Sequence, residues 1–167
     1  MSLRQSNFIL FLFALSLFWL SYSLAYYLVA KPSLEPQGHQ VIAVIDGDTI
    51  DLLINGETTR IRLEGIDAPE KNQAFGPDAK SHLAGLVFEK RVRLQETGKD
   101  FFGRTLGVIF LGDRDINRQM VLDGYAWHYL KYSDDPKLAS AEQQARELQR
   151  GLWSQPTPES PWKWRRR

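Results

Sequence analysis

Residues 41–70 read VIAVIDGDTIDLLINGETTRIRLEGIDAPE, and this stretch contains three β-strand patterns in succession. Val41–Ile45 is apolar and rich in β-branched residues, which favours a strand that ends at the acidic turn after it. Thr49–Ile54 and Thr58–Leu63 flank the dipeptide Asn55-Gly56, which is the signature of a two-residue type I′ hairpin. The stretch therefore predicts three consecutive antiparallel strands.

The rest of the chain predicts two more strands and about three helices. Five strands with a helix inserted between the third and the fourth is the plan of an OB-fold, a small β-barrel of the α+β class. The remaining elements are a helix that opens at Gly76-Pro77-Asp78, a strand Arg91–Gln95, a strand Gly103–Phe110, a helix capped by Asp115 or Asn117 that runs to Gly124, and a helix that ends at Gly151.

Two acidic motifs lie at the ends of the second hairpin of the barrel. They are Asp46-Gly47-Asp48-Thr49 and Asp67-Ala68-Pro69-Glu70, and Arg62 lies between them on the third strand. Carboxylates at two loop edges, joined by strands that carry an arginine, are what binding a hard cation against a phosphate requires. Arg104 lies where the fifth strand begins and supplies a second guanidinium. The pattern predicts a metal-dependent nuclease.

The sequence resembles the staphylococcal nuclease, or thermonuclease, family over residues 39–153. Three motifs and a closing tripeptide carry the resemblance: Val44-Ile45-Asp46-Gly47-Asp48-Thr49, Arg62-Leu63-Glu64-Gly65-Ile66-Asp67-Ala68-Pro69-Glu70, Gly103-Arg104 and Gly151-Leu152-Trp153. The resemblance implies an OB-fold nuclease that cleaves DNA and RNA and leaves 3′-phosphate ends. It implies no obligate protein partner.

The resemblance also implies a calcium site. Asp48 and Asp67 match the family's calcium ligands, and the backbone carbonyl of Ala68 matches a third ligand. The best-known family member has Thr at this position, but a ligand from the backbone does not depend on the side chain. Asp46 and Thr49 flank the first ligand and are predicted to support it without binding the cation. For Asp46, a purely structural role in the Asp-Gly-Asp turn has equal weight.

Three residues match the family's catalytic side chains. Arg62 and Arg104 are expected to grip the phosphate, and Glu70 is expected to lie beside the attacking water. A phosphodiester is an anion, so two guanidinium groups and a divalent cation neutralise the charge that builds up in the transition state. The sequence leaves open whether Glu70 accepts a proton from the water or only orients it.

Substrate contacts are predicted at the two aromatic segments near the site. Phe101-Phe102 stand where the best-known family member has Lys-Tyr in contact with a nucleotide phosphate, so Phe102 retains an aromatic ring but no hydroxyl. Tyr132 matches a family tyrosine near the bound base, whereas Leu130 falls where another tyrosine is found. We predict Phe102, Lys131 and Tyr132 as substrate-binding residues.

Composition excludes several kinds of site. The chain of 167 residues has a net charge of only +1, so any affinity for a polyanion must come from local clusters of Arg and Lys. It contains no Cys, which excludes disulfides, thiolate metal sites and a Cys nucleophile.

The N-terminus predicts export from the cytoplasm. Phe8–Ala30 has no charged residue, and a membrane-spanning helix needs about 20 apolar residues. Arg4 before the run favours a cytoplasmic N-terminus, which places everything after Lys31 outside the cytoplasm. A signal peptide cleaved after Ser23-Leu24-Ala25 is the alternative, and the protein would then be secreted.

The sequence divides into four parts. Residues 1–30 are the predicted anchor or signal, 31–38 a linker, 39–153 the nuclease domain, and 154–167 a basic, proline-containing tail predicted to be disordered. The competing hypothesis is a membrane-tethered OB-fold module that binds nucleic acid or a protein without cleaving anything. The complete set of carboxylates argues against it, because a pure binder gains nothing from acids that face a polyanion.

Overall fold

The computed structural model describes residues 16, 17, 19–23 and 38–167. The chain divides into two compact units, Met1–Pro36 and Gln37–Arg167, and the described residues of the first unit are helical. Among the described residues, no helix has the length and apolar character needed to cross a membrane. Most of the predicted segment Phe8–Ala30, and the linker 31–38 except for its last residue, lie outside the described residues.

A closed five-stranded barrel forms the second unit, as the OB-fold prediction requires. The strands are β1 His39–Val44, β2 Thr49–Ile54, β3 Glu57–Leu63, β4 Ile66–Asp67, β5 Arg91–Lys99, β6 Thr105–Leu111, β7 Arg114–Asp115 and β8 Trp127–His128. Strand β1 pairs with β2 and β5, β2 pairs with β3, and β5 pairs with β6. Parallel pairing of β3 with β6 closes the barrel, and β4 and β8 form a separate two-stranded sheet.

The predicted hairpin is confirmed. Asn55 has a φ of 52° and Gly56 a φ of 84°, so both central residues adopt the left-handed conformation that a type I′ turn requires. The register pairs Ile50 with Ile61 and Thr49 with Arg62. Strand twist and two register shifts, one in β1 and one in β5, curve the sheet enough for it to close.

Four helices and a single 3₁₀ turn occur between residues 38 and 167. Asp115, and not Asn117, caps the second helix: its carboxylate accepts a hydrogen bond of 2.9 Å from the backbone N–H of Arg118. Asn117 is buried and donates to the carbonyls of Glu64 and Gly107 instead. The helices are α1 Gly76–Val87, α2 Ile116–Leu122, α3 Pro136–Glu147, α4 Pro161–Trp164 and the 3₁₀ helix Gly151–Ser154.

Apolar side chains of the barrel and of α1 form the main core. Leu63 of β3 is fully buried, and so are Leu83 and Val87 of α1, which pack in the same cluster. Burying the inner face of β3 leaves Arg62 on the other side of the strand, as the alternation of the strand predicts. The core therefore determines the direction in which Arg62 points.

The prediction of a disordered tail is wrong. The segment after Trp153 continues into α4, and Trp162 packs against the ring of Trp127 at 5.5 Å and stacks on that of Tyr129 at 5.3 Å. The amide of Gln73 donates a 2.7 Å hydrogen bond to the carbonyl of Glu159. Proline and charge content favoured disorder, but the aromatic side chains of the tail bury enough apolar surface to order it.

Gly76 is a glycine that the fold requires. A Cβ at this position would overlap the backbone carbonyl of Glu70, so the first turn of α1 packs directly against the loop of the predicted site. We expect Gly76→Ala to destabilise the protein by about 3 kcal/mol, the cost of a severe overlap in a packed region. Thermal or chemical unfolding measures the effect.

Gly85 in the same helix is the matched control. A Cβ at this position meets no atom within 4 Å. Gly85→Ala should therefore stabilise the protein by up to about 1 kcal/mol through helix propensity. Equal melting temperatures for the two variants would contradict the close packing of α1 on the Glu70 loop.

Candidate active site

One cavity of about 610 Å³ collects the predicted metal and catalytic residues. It lies beside the loop that joins β3 to α1 and is bounded on the other side by the turn between β5 and β6. The predicted residues that line it are Asp46, Asp48, Arg62, Asp67, Ala68, Glu70 and Arg104. They come from four separate segments of the chain, and the closed barrel brings them together.

Asp48, Asp67 and Arg62 form the floor of the cavity. The Nη2 atom of Arg62 lies 3.1 Å from an oxygen of Asp48 and 3.1 Å from an oxygen of Asp67. Nη1 of the same guanidinium donates a 2.6 Å hydrogen bond to the carbonyl of Leu63, which fixes its plane. One arginine therefore holds two nearly buried carboxylates that are distant in the sequence.

Burial is the main influence on the protonation of Asp48. Burial raises the pKa of Asp48 to about 7, and the nearby charges of Asp46 and Asp67 add to this rise. Arg62 and a 2.7 Å hydrogen bond from the backbone N–H of Ala68 act in the opposite direction. These two contacts do not outweigh burial and the neighbouring acids, so the pKa of Asp48 stays above its ordinary value.

The two residues predicted to support Asp48 both contact it. Oδ1 of Asp46 accepts a 3.0 Å hydrogen bond from the backbone N–H of Asp48, which is the turn role weighed from the sequence. Thr49 is buried, and its hydroxyl lies 3.2 Å from Oδ1 of Asp48. Asp46 also lines the cavity, whereas Thr49 is not part of its lining.

Glu70 lies at the more open side of the cavity. Its side chain is 40% exposed, in contrast to the nearly buried Asp67. The backbone N–H of Glu70 donates a 3.0 Å hydrogen bond to the side-chain oxygen of Gln73, which anchors the loop. This position gives the Glu70 carboxylate access to both solvent and a molecule in the cavity.

Arg104 forms the opposite wall and is held by Asp100. Its Nε lies 2.7 Å from Oδ2 of Asp100, and its backbone N–H donates to the other oxygen at 2.9 Å. Burial would raise the pKa of Asp100, but the hydrogen bonds from Arg104 outweigh it and lower that pKa. The remaining guanidinium nitrogens of Arg104 are available to a ligand.

The predicted substrate residues differ in their access to the cavity. Phe102 is 81% exposed and Tyr132 is 64% exposed, and both line the cavity. Lys131 is exposed and is not part of the lining, although its ammonium lies 5.1 Å from the ring of Tyr132. The roles of all three stay predictions.

The donor atoms of the cavity fit a hard divalent cation. Asp48 and Asp67 each place a carboxylate oxygen 3.1 Å from the same nitrogen of Arg62, and Ala68 directly follows Asp67 in the chain. Carboxylate and carbonyl oxygens are the ligands that such a cation prefers. In the part of the chain that the structure describes, no three His, Asp or Glu side chains form a metal-binding group. Two carboxylates, one carbonyl and water would therefore hold the cation, a set that predicts weak affinity.

Comparisons with known proteins assign the chain to a family. The model of the family described as staphylococcal nuclease homologue matches residues 60–155, more than half of the chain. The chain belongs to this family. The staphylococcal nuclease resemblance drawn from the three motifs is thereby confirmed.

Bacterial relatives of the staphylococcal nuclease family match most of the chain. "Protein ParB" of Escherichia coli is 43% identical over 86% of this chain and 88% of its own length. The "Micrococcal nuclease" of Shigella flexneri is 42% identical over 83% of this chain and 86% of its own. An "Uncharacterized endonuclease" of Haemophilus influenzae is 44% identical over 76% and 72%, respectively.

Several residues that line the cavity of this staphylococcal nuclease homologue were not predicted as site residues, and three of them contact predicted ones or the tail. Asp100 and Tyr129 line it, and so does Arg165 from the C-terminal tail. Asp100 could have been suspected from its place four residues before Arg104. Nothing local marked Arg165, because its partners precede it by more than ninety residues.

Proposed function

We propose that the protein is a calcium-dependent phosphodiesterase that cleaves internal phosphodiester bonds of DNA and RNA, that is, an endonuclease. The observation that carries the proposal is the shared contact of Asp48 and Asp67 with Arg62 in a cavity that Glu70 and Arg104 also line. Membership of the staphylococcal nuclease family and the relatives named as nucleases support it. The 3′-phosphate product rests on the family resemblance.

The two arginines would bind the phosphate from opposite sides. Arg104 is oriented by Asp100 and presents its free nitrogens to the cavity, and Arg62 lies beside the acids on the floor. Guanidinium forks bind phosphate oxygens in pairs, which fixes the orientation of the scissile bond and offsets its developing charge. Glu70 would orient the attacking water, or accept its proton, from the open side of the cavity.

Asp48, Asp67 and the carbonyl of Ala68 would hold the cation. When bound, a calcium ion would supply positive charge next to the phosphate and polarise its oxygens. The chain's own contribution is to keep the two carboxylates adjacent and shielded from water, which Arg62 and the backbone N–H of Ala68 do in this structure.

Removal of calcium is the direct test. Supercoiled plasmid is incubated with the full chain in detergent, with calcium ions or with an excess of chelator. We expect chelation to lower the rate of nicking by about 10²-fold or more, because the cation supplies several kcal/mol of charge stabilisation. Cleavage should return when calcium is added back in excess.

The same plasmid assay is run on Asp67→Asn. This substitution removes the charge of a proposed calcium ligand and nearly preserves the shape of the side chain. It should abolish the response to calcium. Intact plasmid in every lane, together with retained binding of single-stranded DNA, would instead favour the non-catalytic OB-fold module. Cleavage that is indifferent to the chelator would contradict calcium dependence.

Phe102 is proposed to stack on a nucleobase. It is exposed at the rim, next to Phe101 at a ring distance of 5.6 Å, so two rings face solvent beside the cavity. Phe102→Ala should raise the KM for single-stranded DNA about tenfold with little change in kcat, because stacking contributes about 1–3 kcal/mol per base. Phe88→Ala, at an exposed phenylalanine outside the cavity, should leave KM unchanged. An equal KM for both variants would exclude the stacking role.

We also propose that the nuclease domain works outside the cytoplasm. The proposal rests on the uncharged run Phe8–Ala30 and on Arg4 before it. Fractionation of expressing cells, followed by nuclease assays of the membrane, the soluble exported and the cytoplasmic fractions, tests it. Activity in the membrane fraction supports an anchor, activity in the exported soluble fraction supports a cleaved signal, and activity only in the cytoplasm contradicts both.

A further inference from the structure

A cationic side chain of the C-terminal tail occupies the acidic side of the cavity. Nη2 of Arg165 lies 2.8 Å from Oδ2 of Asp67, and its Nη1 lies 3.2 Å from Oδ1 of the same carboxylate. Nη1 also lies 2.6 Å from Oε1 of Glu70. One guanidinium therefore bridges the proposed cation ligand and the proposed water-orienting residue.

The tail is fixed to the wall of the site through two sets of contacts. Trp162 stacks on Tyr129, which lines the cavity, at an interplanar angle of 6°. Gln73 donates to the carbonyl of Glu159 while its oxygen accepts from the backbone N–H of Glu70. The same glutamine thus ties the tail to the Glu70 loop, and the tail segment that carries Arg165 is held beside the cavity.

The contacts of Arg165 use the atoms that a cation would need. Asp67 accepts one hydrogen bond from Arg62 and two from Arg165, so N–H groups already occupy both of its oxygens. A carboxylate offers about four lone pairs, and these three hydrogen bonds leave about one for another ligand. A divalent cation beside Asp67 would also be repelled by the charge of the Arg165 guanidinium, so Arg165 opposes cation binding at this carboxylate.

Charge compensation points in the same direction. Besides Asp100, the acids that line the cavity are Asp46, Asp48, Glu64, Asp67 and Glu70. The guanidinium groups of Arg62 and Arg165 contact three of them, Asp48, Asp67 and Glu70. Arg104 is paired with Asp100 on the other wall. Arg165 therefore supplies positive charge at the place where the family resemblance expects calcium.

We propose that Arg165 is an active-site residue that competes with the divalent cation for Asp67 and Glu70. In the free protein the tail neutralises these acids, and the cation binds only when the guanidinium leaves them. The half-exposed position of Arg165 at the rim lets it swing away without unfolding the barrel. The inference rests on the proposed cation-dependent function.

Direct measurement of calcium binding tests the competition. Calcium is titrated calorimetrically into the full chain in detergent, without nucleic acid, for the unmodified protein, Arg165→Gln, Arg166→Gln and Asp67→Asn. Arg166 is the matched control, because it is the next residue, is exposed and lies outside the cavity, and its replacement removes the same charge. Melting curves without calcium check that every variant is folded.

Arg165→Gln should bind calcium about tenfold more tightly than the unmodified protein, since charge-assisted contacts with two carboxylates no longer oppose the cation. Arg166→Gln should stay within about twofold. Arg165→Lys, which keeps the charge but loses the fork, should fall between the unmodified protein and the glutamine variant.

The outcomes separate the inference from the function on which it rests. If Asp67→Asn abolishes calcium binding but Arg165→Gln binds no more tightly than Arg166→Gln, competition by Arg165 is excluded and the cation site stands. If no protein binds calcium, or if Asp67→Asn binds as well as the unmodified chain, the proposed cation site fails, and the inference fails with it.

Discussion

We expect Arg62→Ala to lower the rate of plasmid cleavage about 10³-fold. Arg62 contacts both Asp48 and Asp67 at 3.1 Å. Its loss therefore removes a proposed phosphate-binding group and also the positive charge that bridges the two carboxylates. Loss of one preorganised charged donor at a phosphoryl or acyl centre costs on this order. Single-turnover cleavage of a labelled oligonucleotide at saturating enzyme measures the effect on the chemical step.

Arg60→Ala is the matched control for Arg62. Arg60 lies on the same strand and is half exposed, and its Nε lies 2.8 Å from Oδ1 of Asp51. We expect the activity of this variant to stay within about twofold, because neither Arg60 nor Asp51 lines the cavity. Comparable loss of activity in both variants would show that strand integrity, and not the Arg62 guanidinium, limits cleavage.

Folding must be measured alongside activity, because Arg62 is a largely buried partner of two acids. Removing it leaves Asp48 and Asp67 without that guanidinium, and a buried charge that loses its partner costs about 3 kcal/mol or more. Arg62→Lys keeps a positive charge on the cavity floor and should restore stability more than activity. A lysine variant as active as the unmodified protein would argue against a geometric role for the fork.

Glu70→Gln should lower cleavage about 10²-fold to 10³-fold. The substitution keeps the shape of the side chain and its ability to accept a hydrogen bond from Arg165, but removes the charge that would orient or deprotonate water. The loop should stay folded, because the backbone N–H of Glu70 keeps its hydrogen bond to Gln73. Single-turnover rates across a range of pH would show whether a titrating group is lost.

The comparison for Glu70 is Glu57→Gln, at an exposed residue that begins β3 and lies outside the cavity. It removes one negative charge from the same domain and should leave the rate unchanged. A pH–rate profile that keeps its shape in Glu70→Gln, at a lower rate, would favour an orienting role over that of a general base. Full activity of Glu70→Gln would remove this residue from the mechanism.

Much of the barrel was predictable because its signals are local. Strands β2 and β3 and their turn follow from alternation and from Asn55-Gly56, and α1 begins with the proline that its first turn tolerates. For the N-cap of α2 the sequence allows either Asp115 or Asn117, and only the tertiary structure decides between them. The side chain of Asn117 hydrogen-bonds backbone groups of the barrel, which the local sequence does not reveal.

The candidate site was predictable in its residues but not in all of its contacts. Three motifs named Asp48, Arg62 and Asp67, yet their convergence on one guanidinium depends on the loop after β3 folding back toward the turn after β1. Arg104 was named as a phosphate ligand, but its fixed orientation comes from Asp100, which no motif indicated.

By itself, the sequence determined the strand and helix pattern, the chemical types of the site residues and the family, because each depends on short-range periodicity and motif spacing. Tertiary structure alone decided that β3 pairs with β6 to close the barrel, and that Arg165 reaches Asp67 across 98 positions of the chain. Such contacts depend on how the whole core packs, and aromatic burial of Trp162 outweighed a composition that favoured disorder.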